Sequence, residues 1–410
     1  MKIINLRVIT VVACLIVAIL PRSIAQDWSQ WRGSNQDGSI SGFIAPEQWP
    51  DNMKKSWSAV VGEGDASPAL VDGKIYVFSR QENQEIIRCL DAKSGTELWK
   101  SAYDSIELKG AARSHSGPRS SPAIAEGKVV TLGVAGVLTC FDAENGKVLW
   151  RKHELPDQHP DYYTSSSPMI VDGLCVVQLG GKESGIILAC DLDDGSEAWR
   201  WEGDPPAYAS PALMTVEGEK HIVALTHLNL VGISAKDGQL LWKYLWSNPV
   251  PRMSVNTATP VVDGQTVIYS AQKRGVNALR IEKKGDGYSA SPLWSTDEIS
   301  TAYNTPVLID NLLFGISERR NLYCLDTQTG KVSWTDEAKH ETFGAIVNAR
   351  SALFALPSNG VLTVYEPSGS RYTQIAQYQV SDSATYSYPI VSGSQIYIQD
   401  QNAITSWSVR

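Results

Sequence analysis

The chain has 410 residues and carries 36 Lys and Arg against 44 Asp and Glu, a formal charge of −8. An acidic surface without basic runs repels phosphate backbones, which excludes nucleic acid as a partner.

The first predicted element is a secretory signal. Lys2 and Arg7, an apolar run from Val8 to Leu20 and the small-residue end Ser23-Ile24-Ala25 supply its three parts, and cleavage is predicted after Ala25. The run is too short to span a bilayer comfortably. Cys14 lies inside it with apolar residues after it, unlike a lipid-carrying cysteine at a processed N-terminus. The mature chain is expected to be soluble, periplasmic or secreted, with a charge of −11 once Lys2, Arg7 and Arg22 are gone.

Residues 26–49 read as an extension in which Trp28, Trp31 and Trp49 are too apolar for a free tail, so it is expected to pack on the rest. Asn35, Asp37 and Ser39 resemble the start of a calcium loop but lack its later acidic ligands. A strand around Trp57 to Val61 follows.

From Ser67 onward the chain repeats. Gly-x-x-x-Trp recurs at Gly95/Trp99, Gly146/Trp150, Gly195/Trp199, Gly238/Trp242 and Gly330/Trp334, with an Asp four before the Gly in all but the fourth, where Ser234 stands. Each copy begins at a pair such as Ser67-Pro68, Ser121-Pro122 or Thr305-Pro306. Between Pro and Trp lie short β-branched segments separated by turn signals such as Asp72-Gly73, so each copy is predicted to form four strands. Trp57, Trp99, Trp150, Trp199, Trp242, Trp294 and Trp334, with Tyr378 as a degenerate eighth, mark eight sheets. The last segment has three strands and no terminal Trp of its own. Residues 50–410 are thus predicted to be one all-β domain, an eight-bladed β-propeller of four-stranded antiparallel blades. The strand near Trp57 closes the ring on the C-terminal blade and leaves no free edge.

Five cysteines remain in the mature chain, an odd number. Cys89, Cys140 and Cys324 hold the same place in three copies. Stacked sheets stand roughly 10 Å apart, beyond the ~7 Å limit between disulfide-bonded Cα atoms, so these are predicted to be buried thiols.

The phrase "CLDAKSGTELWK" and its copies resemble the repeat of the pyrroloquinoline quinone (PQQ) family. That family comprises the eight-bladed propellers of quinoprotein alcohol dehydrogenases and of the outer-membrane assembly lipoprotein. "DWSQWRG" and "GPRSSPAIAEGKVVTLGVAGVLTCFDAENGKVLW" resemble exported bacterial PQQ-like repeat proteins more closely still. The resemblance implies the fold; because it covers enzymes and scaffolds alike, function has to come from the site.

Connections between blades are longer than the turns within them, so the inter-blade face is the candidate surface. The residue three before each blade's Pro is predicted to recur around the mouth of the central channel: Asp65, Arg119, Ser165, Tyr208, Thr257, Tyr303, Phe343 (aligning Ile346 with Pro) and Tyr386. Arg113, His115, Tyr162, Tyr163, Arg252, Asn256, Asn304 and His340 lie near them in sequence. The predicted ligand set is Asp65, His115, Arg119, Tyr208, Arg252, Tyr303, Asn304, Phe343 and Tyr386, a polar-aromatic funnel suited to a flat ring, a sugar or an inserted peptide loop.

The resemblance implies that a dehydrogenase of this family needs a Trp beneath PQQ, a disulfide of adjacent cysteines, calcium held by acids and amides, and an Asp base. Here no cysteines are adjacent, no Trp stands among the eight funnel positions, and Asp65 is their only acid. His153, His159 and Asp161 share a loop at a spacing a metal could use, a pattern that a solvated loop explains equally well. Two readings result. One is an exported non-catalytic propeller that binds a protein segment or a glycan; the alternative is a PQQ- and calcium-dependent oxidoreductase acting on alcohols or sugars.

Overall fold

A computed structural model describes residues 27–40, 42–246 and 257–410. The signal-sequence reading, with Cys14 and the Ala25 cleavage point, lies outside the described residues, as do Arg252 and Asn256. Within them, Asp72 and Gly73 adopt φ of 50° and 72°, as do Asp172 and Gly173 at 50° and 76°. Two consecutive left-handed residues are what a two-residue hairpin needs to match the strand twist. Such turns join the first and second strands of the first four sheets, as between Ala69–Val71 and Lys74–Gln81.

Eight four-stranded antiparallel sheets result. Blades 1 to 7 span residues 69–104, 123–152, 169–203, 212–245, 261–296, 307–335 and 344–379. Blade 8 takes three strands from residues 390–408 and its outermost strand from Lys54–Val60, which pairs with Ala403–Ser408 so that Trp57 faces Ser406. The ring is therefore closed by the first and last strands of the described chain.

The repeated phrase joins three blades. Asp91 Oδ1 accepts the Ser94 amide at 2.7 Å, and the Gly95 amide donates to the Asp91 carbonyl at 2.8 Å, which sets Gly95 at φ 73°. A Cβ there would lie 2.5 Å from the indole of Trp57 in the preceding blade. That indole donates to the Ala92 carbonyl at 3.1 Å. In turn Trp99 donates to Ala143, Trp150 to Leu192 and Trp199 to Ala235. Each Gly thus receives the Trp of the blade before it, and each Trp goes to the blade after it. Trp242 departs from this: blade 5 has no Asp-x-x-x-Gly turn, and the indole donates to His221 Nδ1 at 3.1 Å. Tyr378, at the Trp position of blade 7, donates to the Pro50 carbonyl just ahead of the closing strand.

Between the blades the core is apolar, and all five cysteines of the described chain are buried free thiols. Glu85, between blades 1 and 2, breaks the pattern. It is 1% exposed; Tyr103 donates to its Oε2 at 2.5 Å and the Val134 amide of blade 2 to its Oε1 at 2.8 Å. Burial raises its pKa above the usual carboxylate value, against these two hydrogen bonds. A raised folded-state pKa means that the native state holds the extra proton, so stability falls as pH rises from about 4.3 through the folded value. Glu85→Gln is expected to flatten that fall in a series of thermal melts from pH 4 to pH 8, checked by circular dichroism.

Candidate functional site

The residue before the Pro that opens a blade is held extended by the proline, and in blades 1 to 4 and 6 its hydroxyl accepts an amide from a neighbouring blade. Amide N–H groups donate around the channel from Tyr388 to Ser67 Oγ (2.8 Å), Ser67 to Ser121 Oγ (3.0 Å), Ser121 to Ser167 Oγ (3.0 Å) and Ser167 to Ser210 Oγ (2.9 Å). Thr259 donates likewise to Thr305 Oγ1 at 3.0 Å. The Ser/Thr-Pro pairs, read in the sequence as strand starts, are also a belt that ties inner strands together.

Inside this belt runs the segment ahead of the closing strand. It meets the short-turn face, where Asp27 Oδ1 accepts the Asp72 amide and the Ile44 amide donates to Gly393. Trp28 exchanges backbone hydrogen bonds with Leu70 of blade 1, and the Ile40 amide donates to Asn348 of blade 7. Between them Arg32, 1% exposed, donates through Nη2 to the Pro306 carbonyl at 2.8 Å. Trp31 donates to Thr259 Oγ1 at 3.0 Å and meets the Tyr388 ring edge-on at 4.9 Å. The channel is therefore crossed by chain, with Trp31 on the side facing the long inter-blade connections.

Above Trp31 opens a cavity of about 410 Å³. All eight inner-strand positions line it: Asp65, Arg119, Ser165, Tyr208, Thr257, Tyr303, Phe343 and Tyr386. Its wall is divided. On blades 6 to 8, Tyr303 and Phe343 stack at 4.2 Å and 17°, and Tyr386 meets Phe343 edge-on at 5.6 Å. Across from them, Tyr208 accepts the Tyr162 amide, and Arg119 donates from Nη1 to the Tyr162 carbonyl and from Nη2 to the His115 carbonyl. Burial lowers the Arg119 pKa. His115 Nδ1 lies 2.9 Å from Asp65 Oδ2, and this hydrogen bond raises the His115 pKa. The connection bearing His115 is stapled by buried Arg80, which donates to the carbonyls of Ile106 and Ser116.

Not every neighbour in sequence reaches the funnel usefully. Asn304 lines it, but its amide is spent on both backbone groups of Ile316. His340 is buried against Asp336 at 2.7 Å, Tyr163 points into a second cavity, and Arg113 is exposed outside both. His153, His159 and Asp161 line that second cavity between blades 2 and 3. There His153 faces the Ala135 carbonyl, His159 stacks on Tyr163 and Asp161 pairs with Lys182. Among the described residues no three His, Cys, Asp or Glu converge as metal ligands, so the metal spacing in that loop is not realised. The eight inner-strand positions contain no Trp, yet Trp31 lines the funnel from outside the repeat. It carries no repeat signal, only its place in "DWSQWRG". Tyr388, which also lines the funnel, was detectable as the aromatic standing where most blades have Ser or Thr.

These features define an eight-bladed propeller with one funnel built from its inner strands. The chain belongs to the PQQ-like propeller family: the family model described as outer membrane protein assembly factor BamB matches residues 82–336. It is 23% identical to outer membrane protein assembly factor BamB of Shewanella oneidensis, over 85% of this chain and 86% of that one. It is 27% identical to 1-butanol dehydrogenase (cytochrome c) of Thauera butanivorans over 54% of this chain but 32% of the enzyme. Among solved structures, BamB from Moraxella catarrhalis superposes with a TM-score of 0.63 at 14% identity, covering 87% of this chain and 97% of that one. Quinohemoprotein alcohol dehydrogenase ADHIIG from Pseudomonas putida HK5 gives 0.72 at 14%, covering 94% and 80%.

The oxidoreductase reading requires PQQ with calcium, and the donor set here does not fit that pair. Asp65, the one carboxylate of the lining among the described residues, is held by His115, and Asn304 by Ile316; the remaining polar liners are hydroxyls, Trp31, His115 and Arg119. Calcium prefers six to eight oxygen ligands with carboxylates among them.

Proposed function

We propose that this protein is an exported, non-catalytic scaffold that holds a segment of another protein in the funnel of its inter-blade face. On this reading the chain divides into a signal at 1–25, an extension at 26–49 that plugs the channel, and the propeller at 50–410. The observation that carries it is the convergence of eight inner-strand residues on one blind, half-aromatic cavity whose Asp and Asn are committed to shaping the wall. Aromatic walls with a few placed polar groups suit recognition. Relatives named as outer membrane protein assembly factors support a protein partner and a periplasmic, outer-membrane-associated location. No helix among the described residues is long and apolar enough to cross a membrane.

A photo-crosslinking residue placed at Tyr303 is expected to yield protein adducts in the producing cell, and one at Lys236, on the opposite face, to yield none. Adducts from Lys236 alone would move the binding surface to the other face. Labelling of glycan but no protein at Tyr303 would assign the funnel to carbohydrate.

A further inference from the structure

We infer that the segment held in the funnel is a loop tip presenting an acidic side chain beside an aromatic one, the carboxylate taken by Arg119 and the ring by Phe343 and Tyr303. The inference rests on the scaffold reading above.

The charge argument comes from Arg119. It lines the cavity, and its two hydrogen bonds go to neutral carbonyls. A guanidinium has five N–H donors, so most remain unspent. Among the described residues no carboxylate comes within ion-pair distance of it, and Asp65 Oδ2 is on His115. Asp65 acts on Arg119 only through space, without direct contact, so this partly buried guanidinium keeps a desolvation cost that a ligand carboxylate would offset, through the planar two-point geometry that arginine favours.

The apolar argument comes from the opposite wall. Phe343 remains 41% exposed although it stacks on Tyr303 and has Tyr386 against its flank. A ring laid on this surface would find the offset or edge-on contacts that aromatic pairs prefer. The two walls face each other across one cavity, so acid and ring must be close together on the ligand. Trp31 closes the floor; a chain that enters cannot pass through and has to turn back, as a loop does.

The test uses the whole mature protein and terminally blocked tetrapeptides, with binding read by saturation-transfer NMR. Gly-Glu-Phe-Gly is expected to bind about tenfold more tightly than Gly-Gln-Phe-Gly at low salt, the scale of a charge-assisted pair. That advantage shrinks towards one in about 0.5 M salt. Arg119→Met erases it, while Phe343→Ala weakens both peptides and leaves their ratio unchanged. Equal binding of the two at low salt, a ratio that survives Arg119→Met in a variant with unchanged melting, or no binding of either peptide overturns the inference. Tighter binding of unblocked Gly-Gly-Phe than of the blocked Glu peptide reassigns the site to chain ends and overturns it too. Protein adducts at Tyr303 with no acid preference sink this inference alone; no protein adducts sink the scaffold reading with it.

Discussion

A chain that begins at residue 62 is expected to lose its single cooperative melting transition. The strand Lys54–Val60 supplies the whole outer edge of blade 8 and sends Trp57 onto Gly95 of blade 1. Without it, the edge of Ala403–Ser408 opens and the contact between the first and last blades is emptied at the same time. The point version is milder and easier to quantify. Trp57→Ala removes a half-buried indole and its bond to the Ala92 carbonyl, a loss of about 3 kcal/mol. An unfolding entropy near 2.1 cal/mol/K per residue then places the melting temperature about 4 °C lower. Calorimetry checks both variants; a truncated chain that melts as sharply and as late as the intact one would mean that the ring does not depend on this closure.

The second expectation separates backbone strain from inter-blade packing. Gly173 and Gly195 lie in or beside blade 3 with almost the same φ, 76° and 74°. A Cβ on Gly173 meets nothing within 4 Å, whereas one on Gly195 lies 2.7 Å from the indole of Trp150. Gly173→Ala is expected to cost about 1 kcal/mol, the left-handed penalty alone. Gly195→Ala adds overpacking against a buried ring and is expected to cost about 2 to 4 kcal/mol. Denaturant titration of the two variants measures the difference directly. Equal costs would show that Trp150 yields freely and that the repeated glycine is conserved in the repeat for its turn geometry only.

The same contact explains why the repeat was so legible. A Trp that must land on the glycine of the next blade, in a ring where every blade meets two neighbours, imposes one spacing on every copy. Blade count, strand count, closure by Trp57 and the convergence of Asp65, Arg119, Tyr208, Tyr303, Phe343 and Tyr386 all follow from that spacing, because equal positions in equal blades sit at equal height around the axis.

What broke the period was not legible. Trp31 and Arg32 belong to no repeat, and their partners Thr259 and Pro306 stand more than 220 residues away. Asn304 has the chemistry of a ligand-binding side chain, but its amide is used by Ile316. His153, His159 and Asp161 are close in sequence, yet each finds a different partner. Sequence alone determined the ring and the eight repeated positions that line its mouth, since both depend on periodic local contacts. Only the tertiary structure decided that the channel is blind and which of those residues keep donors to spare, because a side chain's hydrogen bonds are allotted by whichever distant groups the closed ring brings within about 3 Å.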